Sequence, residues 1–391
     1  METRTVRLGD FSTFVNEKCY LNEASRNTYV STENLKPNRL GVFFPITKLP
    51  QTNKVNTFAK GDILIANIRP YFKKIWHANI AGTHSTDVLN IRSNSKQLLQ
   101  SYLAVVLSND RFFDYMMATS KGTKMPRGDK KAIMDFKFEL PSFKDQIIIS
   151  DSISVINQKI ELNRQINKNL LQMMENCYRK MLKNAIYNHQ SKQSNILTVA
   201  DNIITGKTPS TKNPSYYGGD TPFITIPDMQ GNVFVTVTKK RLTQSGTSVQ
   251  QNKEIPALSL NVSCIGTVGL VTINPTVAHT NQQINSVIVS KDKLWELFFE
   301  LRSLKGVMEN MASGGTTILN MNKAIFSKLQ INLLSPAIRK QFNAYANPIF
   351  EQILINDEQN HKLAKVRDLL LPKLLAGQID LSNLEGAIQN A

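Results

Sequence analysis

Cysteine is scarce in this chain. Cys19, Cys177 and Cys264 are the only three of 391 residues, far apart and in no CxxC spacing, which excludes a disulfide framework and speaks against a structural zinc site. The five histidines, His77, His84, His189, His279 and His361, are equally scattered and form no HxxxH or HExxH pair, so no metal is expected. Long hydrophobic runs are also missing, and the basic start METRTVRLGDF is followed by no apolar stretch with a small-residue cleavage site. The expectation is a soluble, cytoplasmic chain with no membrane partner. There is no Gly-x-x-x-x-Gly-Lys-Ser/Thr loop and no nuclease-like PD…(D/E)xK cluster, so nothing points to bound nucleotide or to phosphodiester cleavage by the chain itself.

Acidic residues are in short supply as well. Lys and Arg number 47 against 30 Asp and Glu, a formal charge of +17, which favours association with a polyanion. The excess is not in a tail: residues 1–145 hold 22 basic against 13 acidic side chains and residues 191–338 hold 13 against 8, whereas residues 339–391 hold 6 of each. A solvated basic surface with no nucleic-acid role is the competing explanation of charge alone.

What the chain does have is an internal repeat. Tyr29-Val30-Ser31-Thr32 matches Phe223-Ile224-Thr225-Ile226, Ile63–Asn67 matches Ala257–Asn261, Gly122-Thr123 matches Gly315-Thr316, and Lys131-Ala132-Ile133 matches Lys323-Ala324-Ile325. Each repeat ends in a helical stretch whose apolar residues advance in steps of three and four, the seam of a coiled coil. The seam residues are Ile156, Ile160, Asn163, Asn167 and Leu170 in the first copy, and Ile349, Ile353, Asn356, Asn360 and Leu363 in the second. Asparagine at matching seam positions commonly fixes register at a cost in stability; exposure of these residues to solvent is the alternative. A helix from about Gln146 would extend roughly 60 Å at 1.5 Å per residue, too long for the interior of one domain. Gly377 gives the second helix its stop.

The predicted fold is α+β: two mixed domains, residues 1–145 and 191–336, separated by two long antiparallel coiled-coil helices, 146–190 and 337–378, with pseudo-two-fold symmetry and a tail at 379–391. Within the domains, strands are expected at Asp62–Ile68, Val88–Arg92, Phe136–Leu140, Val233–Thr238, Ala257–Val262, Ser286–Val289 and Leu329–Leu333. Short helices are expected to cover Lys96–Met117 and Lys291–Met311.

Three stretches carry candidate contacts to double-stranded DNA. In the turn-rich loop Gly206–Ile224, Lys207, Thr208, Ser210, Thr211 and Lys212 can bond phosphate, and Tyr216 and Tyr217 can stack. In Lys121–Lys131, Lys121, Thr123, Lys124, Arg127 and Lys130 gather around two glycines; Thr316 and Thr317 are their less basic counterparts. Asn67, Arg69, Tyr71, Lys73 and Lys74 correspond to a segment with Asn261 and Ser263, and this divergence between copies predicts two unlike half-sites. Core packing is the alternative for Tyr71 and Phe72.

Gly206-Lys207-Thr208-Pro209-Ser210 followed by Tyr217-Gly218-Gly219-Asp220-Thr221-Pro222-Phe223-Ile224 and Asp228-Met229 resembles the opening of a target recognition domain in the specificity subunits of type I restriction–modification systems. Further matches are the turns Ser120-Lys121-Gly122-Thr123 and Ser313–Thr316, the helix-opening Gln146 and Gln341, and the closing Leu370–Ile379. The first domain departs from the pattern, offering Asn22–Thr28 where the second has the GxTPS stretch. The resemblance implies a non-catalytic subunit that reads a bipartite, asymmetric DNA site. It implies two methyltransferase (modification) subunits carrying S-adenosylmethionine, and restriction subunits using ATP and Mg to translocate and cut, with no cofactor on this chain. A coiled-coil protein-interaction scaffold is the competing class. An adenine-N6 methyltransferase is the other: Asn213-Pro214-Ser215-Tyr216 is similar to its Asn-Pro-Pro-Tyr motif, but the second proline is absent. Gly266-Thr267-Val268-Gly269 runs into strand-like Leu270–Ile273, not into a helix that could cap a cofactor.

Overall fold

The computed structural model describes residues 2–44, 48–313 and 319–382. Two compact units are present: residues 1–160 with 362–391, and residues 161–361. The division falls inside both long helices, Phe143–Tyr187 and Pro336–Leu375, so each unit owns part of each helix.

The first unit contains three ladders. Thr3–Arg7 pairs antiparallel with Lys137–Pro141, closing the start of the unit against the strand that feeds the long helix. A four-stranded sheet has the order Ser12–Phe14, Val88–Ser93, Ile63–Ala66, Ile75–His77. Its central strand Ile63–Ala66 is buried throughout, which is why it is a continuous apolar run rather than an alternating one. The third ladder runs Lys18–Tyr20, Lys54–Phe58, Gly82–His84, Tyr29–Val30, with only the last pair parallel.

The second unit repeats this plan. Ser191–Asn195 pairs with Gln330–Leu334, and the four-stranded order is Asn202–Thr205, Ile284–Ile288, Leu260–Ser263, Val271–Ile273. A third ladder joins Lys240–Leu242, Tyr217–Ile224 and His279–Thr280, the last pair again parallel. Phe223-Ile224, aligned by sequence with Tyr29-Val30, makes the same parallel bridge as its twin.

Within the second unit the two long helices run antiparallel. Asn163 Nδ2 donates to Asn360 Oδ1 at 3.0 Å and to Gln359 Oε1 at 2.7 Å. One turn later Asn167 Nδ2 donates to Ile353 O at 3.0 Å and Asp357 Oδ1 at 2.9 Å, while Asn356 Nδ2 donates to Asn167 Oδ1 at 2.8 Å. All four asparagines are at most 9% exposed, so solvent does not claim them; they pay for their burial with one another. Beyond these rungs Leu170, Ile349 and Ile353 enter the same apolar core as Met174, Tyr178 and Phe350. In the first unit Ile153, Leu371 and Leu374 share a core with Tyr102 and Phe112, Ile160 is buried, and Ile156 and Leu363 are half-buried. Arg367 is buried there as well, with Nη1 on Asn157 Oδ1 at 3.1 Å.

Both helices end in the same turn. Gln190 N bonds Ala185 O at 2.7 Å across His189 (φ 57), and Gln378 N bonds Lys373 O at 2.9 Å across Gly377 (φ 67), the Schellman closure that satisfies late carbonyls.

Several expectations differ from what is observed. Val233–Thr238 is not a strand. Its Val233, Phe234 and Val235 are buried but make only an isolated parallel bridge, Phe234 to Ile273; apolar content there serves packing, not a ladder. The two stretches expected to be covered by short helices hold two each. Gln100–Leu107 and Asp110–Ala118 are separated at Asn109, whose side chain caps Arg111 N at 2.8 Å, and Leu294–Ser303 and Lys305–Ala312 are separated at Leu304. The loop expected through Ile224 turns into a strand from Tyr217, accommodated by Gly218 at φ +91 and a register shift between Tyr217 and Thr221. The helix-opening pair is also unequal. Gln146 is buried, donating to Gln97 O and Pro141 O and accepting from Leu99 N at 2.8 Å, whereas Gln341 is exposed. Arg339 does the anchoring instead, paired with fully buried Glu296 and donating to Leu334 O at 2.9 Å.

Candidate nucleic-acid interface

In the first unit the two basic stretches are stitched into one surface. Lys121 and Arg127 exchange both backbone hydrogen bonds at 2.9 Å, closing a hairpin with Gly122 at φ +89. Arg69 N then bonds Pro126 O at 2.8 Å and Gly128 N bonds Asn67 O at 3.1 Å, so segments 60 residues apart in sequence become neighbours. Arg69 and Lys73 both sit in the left-handed region, φ 53 and 50, flanking the turn Pro70–Phe72. Asn38 N and Arg39 N hold that turn from behind, bonding Phe72 O at 2.8 Å and Lys73 O at 2.9 Å.

The cations in this surface are not equivalent. Arg69 and Lys124 are exposed, with no side-chain partner among the described residues. Lys121 pairs with Asp129 at 2.6 Å and Arg127 with Asp87 at 2.9 Å; the Asp129 hydrogen bond raises the Lys121 ammonium above its usual range. Such exposed pairs are weak, so a phosphate can displace the carboxylates. Lys73 is held by Asp110 at 2.6 Å, and Lys74 donates to Thr32 O at 2.5 Å. Burial lowers the Lys74 pKa, with Glu33 opposing the shift. Tyr71 is exposed and lies 4.6 Å from the Phe72 ring, and Thr123 is exposed; Lys130 Nζ stands 5.8 Å from the Phe14 ring centre. Asn67 is buried, and its Oδ1 has no partner among the described residues.

In the second unit the surface is a groove of about 400 Å3 lined by Lys207, Thr208, Pro209, Ser210, Tyr216, Val249 and Gln250. Thr208 Oγ1 donates to Gln282 Oε1 at 2.6 Å, and Tyr217 Oη donates to Pro209 O at 2.7 Å while Lys240 Nζ stands 5.4 Å from its ring centre. Lys207, Ser210, Thr211 and Lys212 are exposed. Gly206 is forced: a Cβ there would land on Thr280 and Asn281. Two expected contacts are corrected. Asn261 and Ser263 are fully buried; Asn261 donates to Asn274 Oδ1 at 3.0 Å and accepts from Ser286 Oγ at 2.7 Å, and Ser263 Oγ accepts from Leu270 N at 2.9 Å. Their polar groups belong to the frame. Thr316 and Thr317 lie outside the described residues. The groove's second wall, Val249-Gln250, carried no motif in the sequence; only the fold brings it opposite Lys207.

Two surfaces rich in exposed cations and hydroxyls, each braced by one copy of a repeated α+β plan, are the candidate interfaces, and comparison with known proteins places the chain among DNA specificity proteins. The model of the type I restriction modification DNA specificity domain matches residues 2–172 and again 191–354. The chain belongs to the family of type I restriction–modification specificity subunits. It is 29% identical to the type I restriction enzyme HindI specificity subunit of Haemophilus influenzae, over 95% of this chain and 98% of that one. It is 24% identical to the MjaIX specificity subunit of Methanocaldococcus jannaschii over 41% of this chain and 38% of the other. The fold is shared with the crystal structure of a type I restriction-modification S subunit from M. genitalium, TM-score 0.58 at 10% identity, covering 96% of each chain. Among the described residues no helix is long and apolar enough to cross a membrane, and no group of His, Cys, Asp and Glu could hold a metal ion.

Proposed function

We propose that this chain is the non-catalytic address-reading subunit of a type I restriction–modification complex, recognising a bipartite, asymmetric site in double-stranded DNA. The carrying observation is the pairing of one repeated frame with two unlike surfaces. One is a cation-rich surface made of the hairpin with Lys124 and the adjoining segment with Arg69; the other is a groove of hydroxyls, tyrosine and amide beside Lys207. Phosphate contacts from the lysines and arginines set register, and base-edge contacts supply sequence. Two different surfaces read two different half-sites. Adenine methylation, S-adenosylmethionine, ATP and Mg belong to the two modification subunits and the restriction subunits that the chain directs to the site.

Methylation-sensitive sequencing of DNA from cells expressing the chain with its modification subunits tests this: a two-part motif with an unspecified spacer is expected. Exchanging residues 1–145 for those of a relative changes one part alone. A single contiguous motif, or none, refutes the reading.

A further inference from the structure

We infer that Gln250, held in place by His279, is a specificity-determining residue of the second unit. In this inference, which rests on the proposed DNA-reading function, Gln250 accepts a hydrogen bond from an exocyclic amino group, adenine N6 or cytosine N4, of one base in that unit's half-site. Gln250 lines the groove opposite Lys207, Thr208 and Ser210, yet is only 2% exposed and its Oε1 is covered, so a base reaches that atom where DNA binding opens the groove locally. Its Nε2 lies 3.3 Å from His279 Nδ1, and its Oε1 has no hydrogen-bond partner among the described residues. A buried amide with one end tied and the other unsatisfied is costly unless something completes it, and a free amide oxygen selects a donor. Burial holds the His279 imidazole below its usual pKa, and its Nε2 faces Glu254 Oε2 at 4.0 Å; with the ring proton on that side, Nδ1 accepts from the Gln250 amide, fixing which end remains.

The wall that carries Gln250 is rigid. Thr243 N bonds Tyr216 O at 3.1 Å, and Thr243 Oγ1 and Ser245 Oγ both reach Ser215 O, at 2.6 and 3.2 Å. Gly246 lies so close to Tyr216 O that no side chain fits between them. The next residue on the wall, Val249, is 47% exposed, an apolar neighbour suited to exclude water from that hydrogen bond. Atoms without hydrogen-bond partners recur at the equivalent parallel bridge of the first unit, where Thr83 Oγ1, His84 Nε2 and Ser85 Oγ are buried with none among the described residues, as His279 Nε2, 4.0 Å from Glu254 Oε2, and Thr280 Oγ1 are here. Both copies therefore keep unspent polar atoms beside the corresponding strand.

The test uses the assembled complex, the chain with its modification subunits, and reads the methylated motif by sequencing together with duplex binding. Gln250→Ala is expected to relax one position of the half-site read by residues 191–336, leaving the other half unchanged. Affinity for the parent duplex should fall about tenfold, the worth of one buried hydrogen bond to a base. Gln250→Glu keeps an acceptor, and His279 can move its ring proton to Nδ1 to hold the second carboxylate oxygen, so adenine or cytosine should be retained at that position, which decides the matter if the alanine variant fails to assemble. Lys207→Ala is expected to lower methylation at all sites without altering a letter. The inference is overturned if the parent complex gives a two-part motif that Gln250→Ala leaves unchanged, or if Gln250→Glu relaxes the position as fully as alanine does. A parent complex that yields no two-part motif overturns the underlying function, and this inference with it.

Discussion

Replacing Asn167 by alanine probes the helix pair at its most polar point. The side chain makes three hydrogen bonds, to Ile353 O, Asp357 Oδ1 and Asn356 Nδ2, at 3.0, 2.9 and 2.8 Å. At about 1 kcal/mol net for each bond, their loss costs roughly 3 kcal/mol. Asn356, 5% exposed, is left with an unpaired amide, which adds about 1 kcal/mol or more. Total destabilisation should reach roughly 4 kcal/mol, measured by urea unfolding of the full chain followed by circular dichroism. Replacing both Asn167 and Asn356 by leucine removes donor and acceptor together and restores an apolar seam. The double variant should be more stable than the sum of its single changes predicts, by about 1.5 kcal/mol or more. An Asn167→Ala cost below about 0.5 kcal/mol, within the range of ordinary surface substitutions, refutes the reasoning. Strictly additive single changes refute it too, because the rungs would then not be coupled.

Titration of buried carboxylates gives a second expectation. Burial raises Glu296 from 4.5 to about 7, against the Leu334 N–H and Arg339, which lower it. Because the folded pKa exceeds the unfolded one, the folded state holds a proton that the unfolded state has released, and stability falls as pH rises from 4.5 towards 7. Glu296→Gln should flatten the pH dependence of the unfolding free energy in that window; an unchanged slope contradicts the assignment. Asp357, raised to about 6 chiefly by burial with the Asn167 hydrogen bond opposing, should titrate higher still in Asn167→Ala, as carbon-13 carboxyl NMR would show. Lys124→Ala should reduce the slope of log K against log salt by about 0.9 for duplex DNA, with the methylated motif unchanged. Gly206→Ala, whose Cβ has no room beside Thr280, should abolish selectivity for the half-site of residues 191–336; a motif left intact would show that the Lys207 segment does not read DNA.

Much of the fold was legible because repetition is visible without coordinates. Matching fragments at a near-constant offset announced two copies of one plan, and the three-four spacing around Asn163, Asn167, Asn356 and Asn360 announced paired helices. Candidate contacts were less legible. Asn261 carries the right chemistry for a base edge but turns inward to Asn274 and Ser286, and only the sheet decides which way a strand residue faces. Gln250 stands in an unremarkable stretch, and its interest arises from a groove wall 40 residues away in sequence. Val233–Thr238 reads as a strand because β-branched and aromatic residues are shared by ladders and by irregular segments packed against a core.

By itself, then, the amino-acid order determined the duplication, the helical rods with asparagines at matching seam positions, and the surplus of positive charge, since each is written in local period or composition. Tertiary structure alone decided which cations have no side-chain partner among the described residues, as with Arg69 and Lys124, and which are held, as with Lys73 on Asp110 and Lys74 on Thr32. The physical reason is that a charge acquires its role from the distance to its neighbours and from its burial, and residues remote in sequence set both.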